Sequence, residues 1–189
     1  MSEFNFLKNA GGCQVFKPIA MPYSQYKFIL KEITEQQEYE VMLLNVPVNS
    51  ILLRLDENKF DVSGIFNSSI SNVYEGICKK ADYILIDNDN RKVHFIELKL
   101  GNSFTKKEIT QQLIGAECIF QYINHLIANY CKNKNWDREA PFSDYIYNYI
   151  AICNIKVIRK ASYHKNSNST SPQEFLRIDN ANNISYKRL

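Results

Sequence analysis

The chain has 189 residues and a mass of 22.1 kDa, enough for one domain with a sizeable core. A composition of 45% hydrophobic and 23% charged residues excludes wholesale disorder, and no apolar run reaches the ~18 residues of a membrane-spanning helix. The net charge of +3 gathers late, with seven Lys and Arg against two Asp and Glu in residues 156–189, which is compatible with phosphate contacts although a solvated tail is the commoner explanation.

The opening stretch MSEFNFLKNAGGC lacks a basic start followed by an apolar run, so it does not read as a secretory signal and a cytoplasmic protein is expected. The cysteines at 13, 78, 118, 131 and 153 form no CxxC pair, and the histidines at 94, 125 and 164 stand apart from any cysteine couple. Free thiols are expected, with neither a disulfide framework nor a zinc site.

In chain order, Tyr26, Leu30, Ile33, Gln37, Val41 and Leu44 have helical spacing, which predicts a helix from about residue 25 that stops before Pro47. The alternative makes residues 39–46 a strand paired with residues 50–55. Residues 82–87 are a short β-branched and aromatic run that stops at the turn formers Asn88, Asp89 and Asn90. Residues 93–100 follow as a second, mostly buried strand, so the two predict a β-hairpin.

After Gly101, Thr105 and Glu108 have the spacing of a capping box, in which each side chain satisfies the other residue's backbone N–H. The stripe Ile109, Leu113, Ala116, Phe120, Ile123 and Ile127 predicts an amphipathic helix to about Tyr130. Residues 132–144 and 165–172 read as loops, and residues 145–158 as another central strand leaving in Lys156, Arg159 and Lys160. Strand, strand, helix, strand implies an α/β fold, a central mixed sheet with a crossover helix.

Asp82 begins the first hairpin strand, and Glu97 and Lys99 lie on the second. Side chains alternate along a strand, so Glu97 and Lys99 share one face, with Ile96, Leu98 and His94 on the other. The antiparallel turn brings Asp82 beside Glu97. Two converging carboxylates suit Mg²⁺, which prefers oxygen ligands and keeps water in its shell; the Leu98 carbonyl is a further candidate ligand. Such a metal polarises a phosphate oxygen, and Lys99 can neutralise charge developing on the phosphate. Glu57 and Lys59 have the same spacing, but they lie in the polar stretch 56–61 and read as a solvated turn. Glu97 and Lys99 interrupt an apolar strand, where charged residues are seldom tolerated unless paired or bound to a metal.

These residues resemble the PD-(D/E)XK nuclease superfamily, the restriction-endonuclease-like fold: Lys79-Lys80-Ala81-Asp82, fourteen intervening residues, then Glu97-Leu98-Lys99, followed by the helix carrying Gln111-Gln112. The likeness covers roughly residues 73–160. It implies a restriction-endonuclease-like core with a central mixed β-sheet flanked by helices, dependence on Mg²⁺ with Mn²⁺ able to substitute, and hydrolysis of nucleic-acid phosphodiesters, most readily DNA. Asp82 and Glu97 would be metal ligands and Lys99 the catalytic lysine. The chain departs from the pattern in two places. Ala81 stands where the superfamily's name has Pro, and neither Gly115, four residues after Gln111, nor Ala116, four after Gln112, is the Tyr that exonuclease-type members carry.

Gln112, at the border of the apolar stripe, is a candidate substrate contact, and Glu75 a candidate extra ligand. Lys156, Arg159 and Lys160 are candidate phosphate contacts. Residues 1–72 form an N-terminal elaboration of unassigned role, 73–160 the nuclease-like core, and 161–189 a basic C-terminal segment on or extending that core. A duplex-cutting enzyme with one site per chain suggests a homodimer. The rival expectation is a non-catalytic nucleic-acid- or protein-binding module built on the same fold.

Overall fold

The computed structural model describes residues 7–8, 14–33, 38–55, 79–101, 103–130, 141–155, 162–163 and 169–189. In chain order its strands are β1 (Gln14–Phe16), β2 (Ile19–Met21), β3 (Gln25–Ile33), β4 (Glu38–Leu44), β5 (Ser50–Arg54), β6 (Tyr83–Asp87), β7 (Lys92–Lys99), β8 (Ile146–Cys153), β9 (Ser162–Tyr163), β10 (Leu176–Asp179) and β11 (Asn183–Ser185). One long helix, α1 (Lys106–Tyr130), separates β7 from β8.

The strands form two mixed sheets. The larger runs β1-β5-β6-β7-β8-β10-β9 and the smaller β11-β4-β3-β2. In the larger sheet β5, β6 and β7 are antiparallel neighbours, whereas β8 is parallel to β7 and β10 parallel to β8. A parallel neighbour needs a crossover, and α1 supplies it between β7 and β8. The predicted hairpin, helix and central strand are all present. Thr105 caps α1 as the spacing required: its Oγ1 accepts from the Glu108 N–H at 3.1 Å, and the Glu108 carboxylate accepts from the Thr105 N–H at 2.9 Å.

Alternation along the central strands divides the core in two. Ile84, Ile86, Val93, Phe95, Tyr149 and Ala151 pack against Ile109, Leu113, Ala116 and Phe120 of α1. Tyr83, Leu85, Ile96, Leu98, Ile150 and Ile152 pack against Phe28 and Leu30 of β3 and Val41 and Leu43 of β4. The fold is α/β, as expected, and a helix flanks the larger sheet. Among the described residues one face carries α1 and the other carries the smaller sheet.

The same core corrects the helix expected from residue 25. Leu30 and Val41 fit a helical period and a strand period alike. Phe28 and Leu43 decide for strands, because each alternates with its buried neighbour and β3 and β4 pair over seven residues, from Lys27↔Leu44 to Ile33↔Glu38. The alternative pairing of residues 39–46 with 50–55 also fails. At Pro47 the chain turns, the Ser50 N–H bonding the Pro47 carbonyl at 3.2 Å, and β5 enters the larger sheet between β1 and β6. Residues before 73 thus contribute strands to both sheets, and so do residues after 160, through β10 and β11.

The strand expected over 145–158 ends at Cys153, where Asn154 adopts a left-handed φ of 53°. Cys118 and Cys153, the two cysteines among the described residues, are free thiols. None of the described helices is long and apolar enough to cross a membrane.

Candidate active site

The β6–β7 register pairs Tyr83 with Ile96, so Asp82, one residue before β6, faces Glu97. Three contacts hold Asp82 there. Its carbonyl accepts the Leu55 N–H at 2.8 Å, its Oδ2 accepts the Leu98 N–H at 2.6 Å, and the preceding backbone at Lys79 crosses α1 at Gly115. A Cβ on Gly115 would sit 1.7 Å from the Lys79 carbonyl oxygen. That crossing gives a packing reason for glycine at this position of α1.

Glu97 is only 1% exposed, and its Oε1 lies 2.7 Å from the Lys99 Nζ, whose side chain is 24% exposed. Its Oε2 is buried and has no hydrogen-bond partner among the described residues. Burial pushes the Glu97 carboxyl up to about 7; Lys99 opposes this and Glu32 reinforces it. Burial, then the facing Glu97, then Glu32 raise Asp82 well above the usual carboxylate range, against the Leu98 N–H and Lys99. Lys99 is held above its ordinary value: burial disfavours its charge, but Glu97, Asp82 and Glu32 outweigh it. An uncompensated buried carboxylate costs several kcal/mol. One ammonium facing this much acidity leaves room for a proton or a cation.

Glu32 is a residue that the sequence reasoning missed. It sits on β3, two residues beyond Leu30 on the face turned to the larger sheet. The Tyr83 hydroxyl fixes that end of β3 by accepting the Lys31 N–H at 2.8 Å and donating to the Lys31 carbonyl at 2.9 Å. Reading β3 as a strand would have shown the Phe28, Leu30, Glu32 alternation.

Arg177 was missed too. The registers Glu97↔Ala151 and Ala151↔Arg177 place it in the same cross-strand row as Glu97.

The remaining candidates divide. Gln112 lies one turn beyond Glu108 on α1, and Glu108 in turn lies 4.0 Å from the Lys79 ammonium; the Gln112 Oε1 is buried without a partner among the described residues. Glu75, Lys156, Arg159 and Lys160 lie outside the described residues. His94 faces away from Glu97, as expected. Its Nε2 is 3.0 Å from the Tyr186 hydroxyl, which also donates to the buried Asp87.

Among the described residues no three of His, Cys, Asp and Glu converge to hold a metal. The donor set is a pair of facing carboxylates, one with an orphaned buried oxygen. That set fits Mg²⁺, which binds through one or two carboxylates and keeps several waters. In comparisons with known proteins no family model matched the chain, and no curated protein and no solved structure matched it either.

Proposed function

We propose that the chain is a divalent-metal-dependent nuclease with a restriction-endonuclease-like core, acting on phosphodiester bonds of DNA. The observation that carries this reading is the Glu97 carboxylate, 1% exposed, paired through Oε1 with Lys99, unpartnered at Oε2 and facing Asp82. The element order β5-β6-β7-α1-β8, an antiparallel meander followed by a helical crossover to a parallel strand, supports it as well.

Asp82 and Glu97 would hold Mg²⁺ or Mn²⁺, which when bound supplies a Lewis acid and lowers the pKa of water. The Leu98 N–H orients the Asp82 carboxylate through Oδ2. Lys99 is charged and partly exposed, so it can donate to a phosphate oxygen and stabilise negative charge as the bond breaks. Lys79 and Lys106, at the same end of α1, would contact the flanking backbone. A homodimer would let two such sites address both strands of a duplex.

One observation favours a second reading, a non-catalytic binding module: the 2.7 Å Glu97–Lys99 pair already compensates much of the buried charge without a metal. Calorimetric titration of Mg²⁺ and Mn²⁺ into wild type and Glu97→Gln, followed by incubation of both with supercoiled plasmid, separates the two. A nuclease binds metal and nicks plasmid, and the variant does neither. A wild-type chain that does neither leaves the binding module.

A further inference from the structure

The row of the sheet that holds the carboxylate pair continues past it. Ala151 of β8 stands beside Glu97, and Arg177 of β10 stands beside Ala151. Arg177 is therefore two strand spacings from Glu97, roughly 10 Å along the sheet, with only a methyl side chain between them. In the next row on the same face Cys153 stands between Lys99 and Asp179, so Glu97, Lys99, Arg177 and Asp179 lie at one end of these strands.

Arg177 is built in rather than draped. Its guanidinium lies over the Phe104 ring at 5.2 Å, and its Nε donates to the Asp179 Oδ1 at 3.1 Å. Asp179 is itself buried, and the same Oδ1 accepts from the Asn154 Nδ2 at 3.2 Å. Among the described residues Asp179 is the one hydrogen-bond partner of Arg177, and it takes a single N–H of the five that a guanidinium offers. The Arg177 side chain stays 37% exposed. A planar cation stacked on a ring, held at one edge by Asp179 and with no second side-chain hydrogen-bond partner among the described residues, suits two-point recognition of a phosphate. Glu97 and Asp82 occupy the acidic end of the row, so an anion at Arg177 avoids their repulsion while its chain passes over them.

We propose that Arg177 is a substrate-positioning residue that holds a backbone phosphate of the nucleic acid beside the one presented to Asp82, Glu97 and Lys99. The proposal rests on the nuclease reading. Its test is the binding of a fluorescein-labelled DNA duplex, followed by anisotropy in Ca²⁺ across a NaCl series, for the full wild-type chain, Arg177→Met and Arg177→Lys. Met keeps an unbranched stem over Phe104, and Lys keeps the charge but not the fork.

Loss of one phosphate contact lowers the slope of log affinity against log salt by about 0.9 in Arg177→Met and weakens binding about tenfold at low salt. Arg177→Lys retains the slope and recovers part of the affinity. In Mg²⁺, KM for cleavage rises in Arg177→Met while kcat stays within about twofold, which a merely structural residue would not produce. A wild-type slope and affinity in both variants, with wild-type cleavage intact, overturn this proposal alone. A wild-type chain that does not bind the duplex overturns the nuclease reading and this proposal with it.

Discussion

The carbonyl oxygen of Lys79 occupies the space that a side chain on Gly115 would fill, 1.7 Å from an ideal Cβ. The contact pins the segment leading into Asp82 against α1, so the helix and the first carboxylate are positioned by one backbone crossing. Gly115→Ala gains up to about 1 kcal/mol of helix propensity but must push two backbones apart, which costs about 1–3 kcal/mol or more. The variant is expected to have a lower melting temperature and several-fold lower cleavage. A melting temperature at or above wild type would show that the crossing does not constrain the chain.

Metal should stabilise the folded protein through Asp82 and Glu97. At a Mg²⁺ or Mn²⁺ concentration 100 times Kd the gain is about 2.7 kcal/mol, lost on adding EDTA. Glu97→Gln removes the charge that burial disfavours, so its metal-free form should melt no lower than metal-free wild type at pH 8. It should also show no shift with metal. A metal-dependent shift that survives in Glu97→Gln removes Glu97 from the ligand set.

His94 gives a pH dependence of defined sign. Burial first, then Lys92, lowers its pKa from 6.5 to about 4, against the pull of Asp87. Between those values the unfolded chain binds a proton that the folded chain refuses. The stability contributed by His94 is therefore complete above pH 6.5 and lost as pH falls toward 4, by about 3 kcal/mol at most. Glu97 acts in the opposite sense, because its raised pKa makes the folded state bind more protons between 4.5 and 7. The check is the difference between wild type and His94→Gln in urea unfolding at pH 7.5 and 5. The variant should lose less stability on acidification, and equal losses would contradict the assignment.

Tyr83→Phe tests how the smaller sheet is docked. Its hydroxyl serves both the N–H and the carbonyl of Lys31, so removing it leaves two backbone groups without this partner, at about 1–3 kcal/mol. Faster hydrogen exchange at the Lys31 amide, together with lower stability, is expected. Unchanged exchange there would mean that β3 is held by other contacts.

The hairpin, its facing carboxylates and the capped helix were legible because each is a local pattern. Asp82 and Glu97 are joined by a short turn, and Thr105 and Glu108 by one turn of helix. The N-terminal strands were not. Leu30 and Val41 satisfy two periodicities, and the partner that settles them, the apolar face of Tyr83, Leu85 and Ile96, lies some fifty residues away. Glu32 was hidden by the same error. Arg177 was counted within a basic tail because nothing near it in sequence announces that β10 lies parallel to β8. Long-range pairing, rather than residue chemistry, set the limit.

The last strands of the chain also set the order in which the molecule can be made. β10 pairs with β8 in the larger sheet, β11 pairs with β4 in the smaller, and Tyr186 closes onto Asp87 and His94. On a ribosome, β1 to β7 and α1 emerge before β10 and can bring Asp82, Glu97 and Lys99 together, but neither sheet is complete until residues 176–186 are free of the exit tunnel. Until then β8 and β4 each present an unpaired edge, the surface most prone to pairing with another chain. The nascent protein would thus own its acidic pair before it owns Arg177. Its vulnerability to aggregation is greatest in the interval between the emergence of Cys153 and the emergence of Tyr186 from the tunnel.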